Sequence, residues 1–152
     1  MKIGDTAPDF TLPREDGTML TLSAQLARGP VVLFFYPKAM TSGCTAESCH
    51  FRDLASEFSK YDAIRIGISA DKIEKQKKFS DKHDFDYPLL SDTDRKVAQA
   101  YGVRRPGPLF NRRVTFVIAK DQKLAAIIAS ELNMDKHADE ALKVLAQLAG
   151  NK

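Results

Sequence analysis

An unbroken run of apolar and aromatic residues, PVVLFFYP at positions 30 to 37, constrains the fold of this chain more than any other segment. Its length and composition predict a strand that is buried on both faces. Such strands are typical of parallel or central positions in a sheet that is covered on both sides. The run therefore predicts the middle of a buried sheet.

The segments around this run alternate between strand and helix patterns. Residues 10–12 and 19–22 flank turn residues and predict a hairpin. The other predicted elements are a helix over about residues 41–60, the strand AIRIGIS, the helix DKIEKQKKFSDKH, the extended piece DYPLLSD, the helix DRKVAQAYG, the strands VTFVIAK and KLAAIIAS, and the amphipathic helix KHADEALKVLAQLAG. This order indicates one α/β domain over residues 1–152, a three-layer sandwich with a central mixed sheet, compatible with a thioredoxin-like fold preceded by an N-terminal β-hairpin.

Composition and charge exclude several classes of function. The 152 residues are enough to bury a real core, and the net charge of +3 is too small and too dispersed to predict nucleic-acid binding. The N-terminus lacks the apolar core of a signal peptide, and no apolar run approaches membrane-spanning length. We therefore expect a cytoplasmic protein, in which two nearby cysteines are more often catalytic or metal-binding than a structural disulfide.

Both cysteines of the chain, Cys44 and Cys49, lie in the helix predicted after the central strand. Ligand sites in such sheets lie beyond the carboxyl ends of the strands. With Thr41 or Ser42 as its cap, the helix would hold Cys44 in its first turn, where free N–H groups and the dipole stabilise a thiolate. Gly43 permits close approach of a small substrate, and the hydroxyl of Thr41 could donate to a substrate oxygen or to the thiolate.

Helical geometry separates the two thiols. Counting in threes and fours places Cys44 on the core-facing side with Phe51 and Phe58, and Cys49 on an outward face. Five residues of ideal helix put their Cα atoms roughly 8.7 Å apart. A disulfide rarely tolerates more than about 7 Å. An intact helix therefore cannot carry a bond between them.

Three interpretations of the pair remain. The cysteines could be two independent reduced thiols. Alternatively, Cys44 reacts first with an oxidant and the helix then unwinds, so that Cys49 condenses with the sulfenic acid. A metal site formed by Cys44, Cys49 and His50 is the least favoured, because these three residues lack a matching second pair of ligands.

The pattern P-x-x-x-T-x-x-C, formed by Pro37, Thr41 and Cys44 directly after VVLFFY, resembles the active-site signature of peroxiredoxins. The longer stretch FYPKAMTSGCTAESCHFRD is similar to the peroxiredoxin Q group, also called bacterioferritin comigratory proteins, which commonly carries a second cysteine five residues after the first. GDTAPDFTL, YPLLSD and RVTFVI match in the same order, so the resemblance spans nearly the whole chain.

The resemblance implies a role for each residue of the signature. Cys44 would be the peroxidatic cysteine and Cys49 the resolving one. Thr41 would hydrogen-bond the peroxide, and Pro37 would shield the pocket from water. The resemblance also places Arg113 beside the sulfur, where a guanidinium favours the thiolate and can orient both peroxide oxygens.

Further expectations concern the surroundings of that sulfur. The backbone N–H groups of Gly43 and Cys44 would stabilise charge on the leaving oxygen, and Gly43 and Tyr36 would line the substrate pocket. Strand alternation would send Arg112 and Arg113 to opposite faces of the sheet, and the resemblance favours Arg113.

The chain departs from the group at a few positions, and several polar residues have simpler explanations. Ser42 stands where the group usually has proline, so the loop before Cys44 would be less rigid. Ala119 and Gln122 replace the usual aspartate and glycine in a remote hairpin. Glu47 is expected to be a favourable charge in the first helical turn. The three histidines, His50, His83 and His137, are expected to be solvated surface residues.

As a whole, the resemblance implies an antioxidant thiol peroxidase that reduces hydrogen peroxide and organic hydroperoxides. A Cys44–Cys49 disulfide would be re-reduced by a thioredoxin- or glutaredoxin-like dithiol protein, with no metal, haem or flavin cofactor. We expect a monomer or weak homodimer. Two alternatives remain. One is a thiol–disulfide oxidoreductase on the same fold, although such an enzyme normally needs C-x-x-C. The other is a non-enzymatic redox switch or chaperone-like binding protein.

Overall fold

The computed structural model describes residues 1–150, which form thirteen helices and strands. In chain order these are β1 (Thr11–Pro13), β2 (Met19–Thr21), α1 (Leu22–Leu26), β3 (Val31–Phe35), α2 (Ser42–Asp53), α3 (Ala55–Ser59), β4 (Ile64–Ser69), α4 (Ile73–His83), β5 (Leu89–Ser91), α5 (Lys96–Ala100), β6 (Val114–Ile118), β7 (Leu124–Ala129) and α6 (Asp135–Gly150).

The strands form an N-terminal hairpin and one larger mixed sheet. Strands β1 and β2 pair antiparallel, which confirms the predicted hairpin. The five-stranded sheet has the order β5-β4-β3-β6-β7. Within it β4 and β5 run parallel to β3, whereas β6 is antiparallel to β3, and β7 to β6. The apolar run that predicted a central buried strand is β3, the middle strand.

Alternate residues of β3 face two separate apolar cores. Val31, Leu33 and Phe35 pack into a core covered by the hairpin, α1 and α5. Val32 and Phe34 pack into the other core, which is covered by α2, α3, α4 and α6. Every residue of β3 is buried, as the absence of alternation in its sequence predicted. The three-layer α/β architecture is therefore confirmed.

Two predicted boundaries are wrong. The single helix predicted over residues 41–60 is divided at Leu54, whose backbone (φ −96°, ψ 20°) leaves the helical conformation. Leu22, predicted as the last residue of a strand, is the first residue of α1. The reason is that Leu22 and Leu26 lie one helical turn apart and are both buried in the same core.

The C-terminal helix α6 is the longest of the described helices. The predicted helix is amphipathic in the structure: Ala138 and Leu145 are buried, Leu142 is half-buried, and Ala149 is exposed. The buried stripe is completed by Ala141. Within residues 1–150 no helix is both long enough and apolar enough to cross a lipid bilayer.

Four segments of the chain meet at one edge of the sheet. Phe35, the last residue of β3, pairs with Ile68 of parallel β4 and with Val114, the first residue of antiparallel β6. Val114 in turn pairs with Ala129, the last residue of β7. The segments that follow β3, β4 and β7 and the segment that precedes β6 therefore lie side by side, and α2 starts at this edge.

Gly67 of β4 leaves room for the aromatic core beneath α2. A Cβ atom at this position would lie 2.8 Å from Leu89 Cδ2 and 2.9 Å from Phe34 Cζ. We expect Gly67→Ala to lower the free energy of unfolding by about 1–3 kcal/mol through overpacking, measured by chemical denaturation. The control is Gly150→Ala, where a Cβ meets nothing within 4 Å, and it should not destabilise. Equal stability of Gly67→Ala and the unmodified protein would contradict the prediction.

Candidate active site

Cys44 lies in the first turn of α2, at the edge where the four segments meet. Its side chain is fully buried and belongs to the core that contains Phe51 and Phe58, as the helical spacing predicted. The turn is closed by a hydrogen bond of 2.9 Å from the N–H of Thr45 to the carbonyl of Thr41. Ser42 occupies the first helical position, where the proline usual in the group would also fit. The sulfur is thus held at a helix N-terminus inside the protein.

Arg113 reaches the sulfur from the residue that precedes β6. Its Nη2 donates to Cys44 Sγ at 3.3 Å, and its side chain is buried, with 7% of its surface exposed. Arg112, one residue earlier, is exposed. Strand alternation therefore separates the two arginines as predicted. Gly43 makes the approach possible, because a Cβ on it would lie only 3.2 Å from Nη2 of Arg113.

Glu47 is a component of the site that the sequence reasoning missed. Its carboxyl is fully buried, and its Oε1 accepts a hydrogen bond of 3.0 Å from Nη1 of Arg113. Burial raises the pKa of Glu47 to about 8, although Arg113 opposes the shift. The expectation of a favourable charge in the first helical turn was therefore wrong, because Glu47 lies in the second turn of α2 and is buried. The available signal was its position three residues after Cys44, on the same helical face.

His137, expected at the surface, is fully buried in the first turns of α6. Its Nε2 donates to the carbonyl of Ser130 at 2.8 Å, because a carbonyl can only accept. Its Nδ1 therefore accepts the hydroxyl of Thr115, also at 2.8 Å. Burial lowers the pKa of His137, which favours the neutral ring. Its position four residues before the buried Ala141 was the overlooked signal.

His50 and His83 are half-buried rather than fully solvated. Nε2 of His50 lies 2.8 Å from Oδ1 of Asp139 and links α2 to α6. The ring of His83 packs edge-on against Phe79. Over residues 1–150, no three His, Cys, Asp or Glu side chains form a group that could hold a metal ion, Cys44, Cys49 and His50 included.

The loop between β3 and α2 carries the remaining predicted site residues. Thr41 is the N-cap residue of α2, but its hydroxyl donates to the carbonyl of Lys38 at 2.8 Å and caps nothing. The expected side-chain cap was therefore wrong: the hydroxyl turns back to the carbonyl of Lys38, and no N–H of the first helical turn donates to its oxygen. Pro37 is half-buried at the start of this loop. Tyr36 is fully buried, and its hydroxyl donates to Gln76 in the core.

Asp71, which follows β4, holds this loop in place. Its Oδ2 accepts the N–H of Ala39 at 2.7 Å and the hydroxyl of Ser69, also at 2.7 Å. The Ser69 hydroxyl oxygen accepts in turn from the side-chain amide of Gln76 at 2.9 Å. The loop residue Met40 has a left-handed backbone with φ of 70°. A buried hydrogen-bond chain thus fixes the loop against β4 and α4.

Cys49 lies one and a half turns after Cys44 in the same unbroken helix α2. It is half-buried, and both cysteines are free thiols. Burial raises the pKa of the Cys49 thiol, and the nearby Arg52 only partly offsets this effect. The helix therefore keeps the two sulfur atoms on different faces.

Comparisons with known proteins agree with this geometry. A family model described as the AhpC/TSA family matches residues 3–127. A putative peroxiredoxin from Mycobacterium tuberculosis is 55% identical over 148 residues, which cover 95% of this chain and 96% of the relative. The crystal structure of peroxidoxin BcpB from the same species aligns with a TM-score of 0.94 at 53% identity, over 97% of this chain and 98% of that one.

A second solved structure is the bacterioferritin comigratory protein of Xanthomonas campestris, described for its alkyl peroxide reduction activity. It aligns with a TM-score of 0.85 at 32% identity, over 92% of each chain. The family match covers most of the chain, and both solved structures align over nearly its full length. The chain therefore belongs to the AhpC/TSA family and is a peroxiredoxin of the Q group, a thiol peroxidase with a thioredoxin-like fold.

Proposed function

We propose that this peroxiredoxin reduces hydrogen peroxide and organic hydroperoxides with Cys44 as the peroxidatic and Cys49 as the resolving cysteine. The observation that carries the proposal is the contact of 3.3 Å between Arg113 Nη2 and the buried sulfur of Cys44 in the first turn of α2. A guanidinium and a helix N-terminus both favour the thiolate, which is the nucleophilic form of a cysteine.

In the first step the thiolate attacks one peroxide oxygen, the O–O bond breaks, and water or an alcohol leaves. The sulfur then carries a sulfenic acid. Nε of Arg113 is buried and without a hydrogen-bond partner among residues 1–150, so it can donate to the bound peroxide. The N–H groups of Gly43 and Cys44 have no intrahelical acceptor and can stabilise the leaving oxygen.

Thr41 and Pro37 complete the proposed peroxide pocket. Because the hydroxyl of Thr41 gives its hydrogen to the carbonyl of Lys38, its oxygen remains free to accept the O–H of a hydroperoxide. Pro37 has no N–H and its half-buried ring excludes water from the start of the loop. The expected donation from Thr41 to substrate is thus replaced by acceptance.

In the second step Cys49 condenses with the sulfenic acid, and water leaves as the disulfide forms. The two Cα atoms on the intact helix are roughly 8.7 Å apart, which exceeds the disulfide limit of about 7 Å. The N-terminal part of α2 must therefore unwind before the bond can form. A thioredoxin- or glutaredoxin-like dithiol then reduces the disulfide and allows the helix to re-form.

The surroundings of the loop favour organic hydroperoxides in addition to hydrogen peroxide. Met40 and Phe110 are 40% and 55% exposed, and the ammonium of Lys38 lies 5.7 Å from the Phe110 ring centroid. These apolar side chains can contact the organic part of a substrate. The Xanthomonas relative's alkyl peroxide reduction is consistent with this choice. We further propose an antioxidant role in the cytoplasm, as a monomer or weak homodimer.

The two cysteines should be separable by single-turnover kinetics. Cys44→Ser should lose the fast reaction with peroxide, because no thiolate remains at the site. Cys49→Ser should still reduce one equivalent, then accumulate sulfenic or over-oxidised Cys44. Stopped-flow peroxide consumption and mass spectrometry of the tryptic peptide that holds both cysteines would measure this. Undiminished turnover of Cys49→Ser with a dithiol protein would remove Cys49 from the mechanism.

Oxidation should lower the helix content of the protein. Forming the Cys44–Cys49 bond requires unwinding of the N-terminal part of α2, which spans 12 residues when reduced. The far-UV circular dichroism of the unmodified protein should therefore weaken on addition of one equivalent of peroxide and recover with a dithiol. Cys49→Ser is the control, since it cannot form the bond. Identical spectra for the reduced and disulfide forms would contradict local unwinding.

Arg113 and Arg112 form a matched pair for testing the guanidinium. Arg113→Lys keeps the positive charge, but an ammonium group cannot donate to Cys44 and Glu47 from one planar group. The rate constant for the reaction of Cys44 with peroxide should therefore fall about 100-fold. Arg112→Lys changes an exposed side chain and should alter the rate less than about twofold. Equal rates for the two variants, measured by stopped flow, would show that the planar guanidinium of Arg113 is not needed for the reaction with peroxide.

A further inference from the structure

A single guanidinium lies between two acidic groups in the buried site. Arg113 donates to Cys44 Sγ through Nη2 and to Glu47 Oε1 through Nη1. The carboxyl of Glu47 and the sulfur of Cys44 are both fully buried. If both were ionised, one positive charge would face two buried negative charges, and the excess charge would be costly.

The groups around Glu47 offer little other stabilisation for a carboxylate. His137 approaches from α6, but its Nε2 is 3.5 Å from Glu47 Oε2 and donates to the Ser130 carbonyl instead. Glu47 Oε2 is buried and has no hydrogen-bond partner among the described residues. Glu131, in the segment after β7, adds a further negative charge, and Tyr87 gives its hydroxyl hydrogen to the Ser48 carbonyl.

We propose that Glu47 holds a proton in the reduced enzyme and releases it when the Cys44 thiolate is consumed, so that Arg113 faces one buried negative charge both before and after the peroxide is reduced. This inference rests on the proposed function, in which Cys44 is the peroxidatic cysteine. Glu47 thereby stores a proton beside the reacting sulfur. Because burial raises the pKa of Glu47 to about 8, the protonated form prevails near neutral pH.

The proton balance of the cycle closes within the protein. The reactants are the Cys44 thiolate, the Glu47 carboxylic acid, the Cys49 thiol and one hydroperoxide. The sulfur bonds to one peroxide oxygen, the O–O bond breaks, and the alkoxide is protonated while Glu47 loses its proton. Cys49 then displaces water from the sulfenic acid, leaving the disulfide, the Glu47 carboxylate, an alcohol and water. No net proton is taken from the solvent.

The position of Glu47 between the two cysteines supports the release. Unwinding of the segment that holds Cys44 and Cys49 also displaces Glu47 from its buried site on α2. A solvated carboxyl ionises near pH ~4.3, far below neutral pH. The disulfide form therefore keeps Glu47 ionised.

Proton counting with Glu47→Gln tests the proposal. Each reduced protein is mixed with one equivalent of hydrogen peroxide near neutral pH in dilute buffer with an indicator dye, and the disulfide is quantified in parallel. The unmodified protein should exchange no net proton with the solvent. Glu47→Gln, which lacks the stored proton, should take up one proton per disulfide. Glu57→Gln makes the same acid-to-amide change at a half-buried residue of α3 that pairs with Lys60, and it should behave like the unmodified protein.

The other outcomes separate this inference from the proposed function. Equal proton counts for Glu47→Gln and the unmodified protein, with the disulfide formed in both, would overturn the stored proton alone. Failure of the unmodified protein to consume peroxide or to form the disulfide would overturn the proposed function and this inference with it.

A measurement on the unmodified protein avoids any effect of the substitution on folding. The infrared difference spectrum between reduced and disulfide forms should show loss of a protonated-carboxyl stretch. The ultraviolet absorbance of the reduced protein should show the Cys44 thiolate near neutral pH. If the reduced unmodified protein shows no thiolate band near neutral pH, and oxidation removes no protonated-carboxyl stretch, the proton lies on Cys44 and the assignment to Glu47 is refuted.

Discussion

The contact between the Arg113 guanidinium and the sulfur of Cys44 is the interaction on which the rest of the site depends. The two residues are 69 positions apart in the chain, so only the pairing of β3 with β6 brings them together. Gly43 leaves space for the guanidinium, and Glu131 accepts the Arg113 backbone N–H at 2.9 Å. Burial lowers the pKa of Arg113, but Glu47 and Cys44 raise it by more. The arginine therefore remains charged inside the protein.

A sheet with mixed strand directions is what makes this meeting possible. Because β6 runs against β3, the start of β6 lies beside the end of β3, and Arg113 lies beside the helix that follows β3. Because β4 runs parallel to β3, the segment after β4 reaches the same edge, where Asp71 binds the N–H of Ala39. The N-terminus of α2 follows β3, Arg113 precedes β6, and Asp71, which binds the loop, follows β4. The site is therefore assembled at the ends of three different strands.

The parts of the fold and site that could be predicted are those encoded locally. The apolar run of β3 and the pattern around Cys44 need only neighbouring residues. Alternation separates Arg113 from Arg112, and the resemblance around RVTFVI selected Arg113. Helical spacing places Glu47 and His137 on core-facing sides of their helices, but it does not identify their partners Arg113 and Thr115, which lie far away in the sequence. An ionisable side chain on a helix is ordinarily solvated, and only the tertiary structure shows that these two are buried against hydrogen-bond partners.

The conflict between α2 and a Cys44–Cys49 disulfide gives the helix its proposed role. The reduced helix is stable because its apolar face, with Phe51, is buried against the sheet, and the same packing buries Cys44 and Glu47. A disulfide requires the helix to open between the two cysteines, and Glu47 lies within that interval. Any opening that lets Cys49 reach Cys44 therefore also changes the environment of Glu47. The proposed disulfide would in this way couple the redox state of Cys44 to the charge of the buried carboxyl through one short helix.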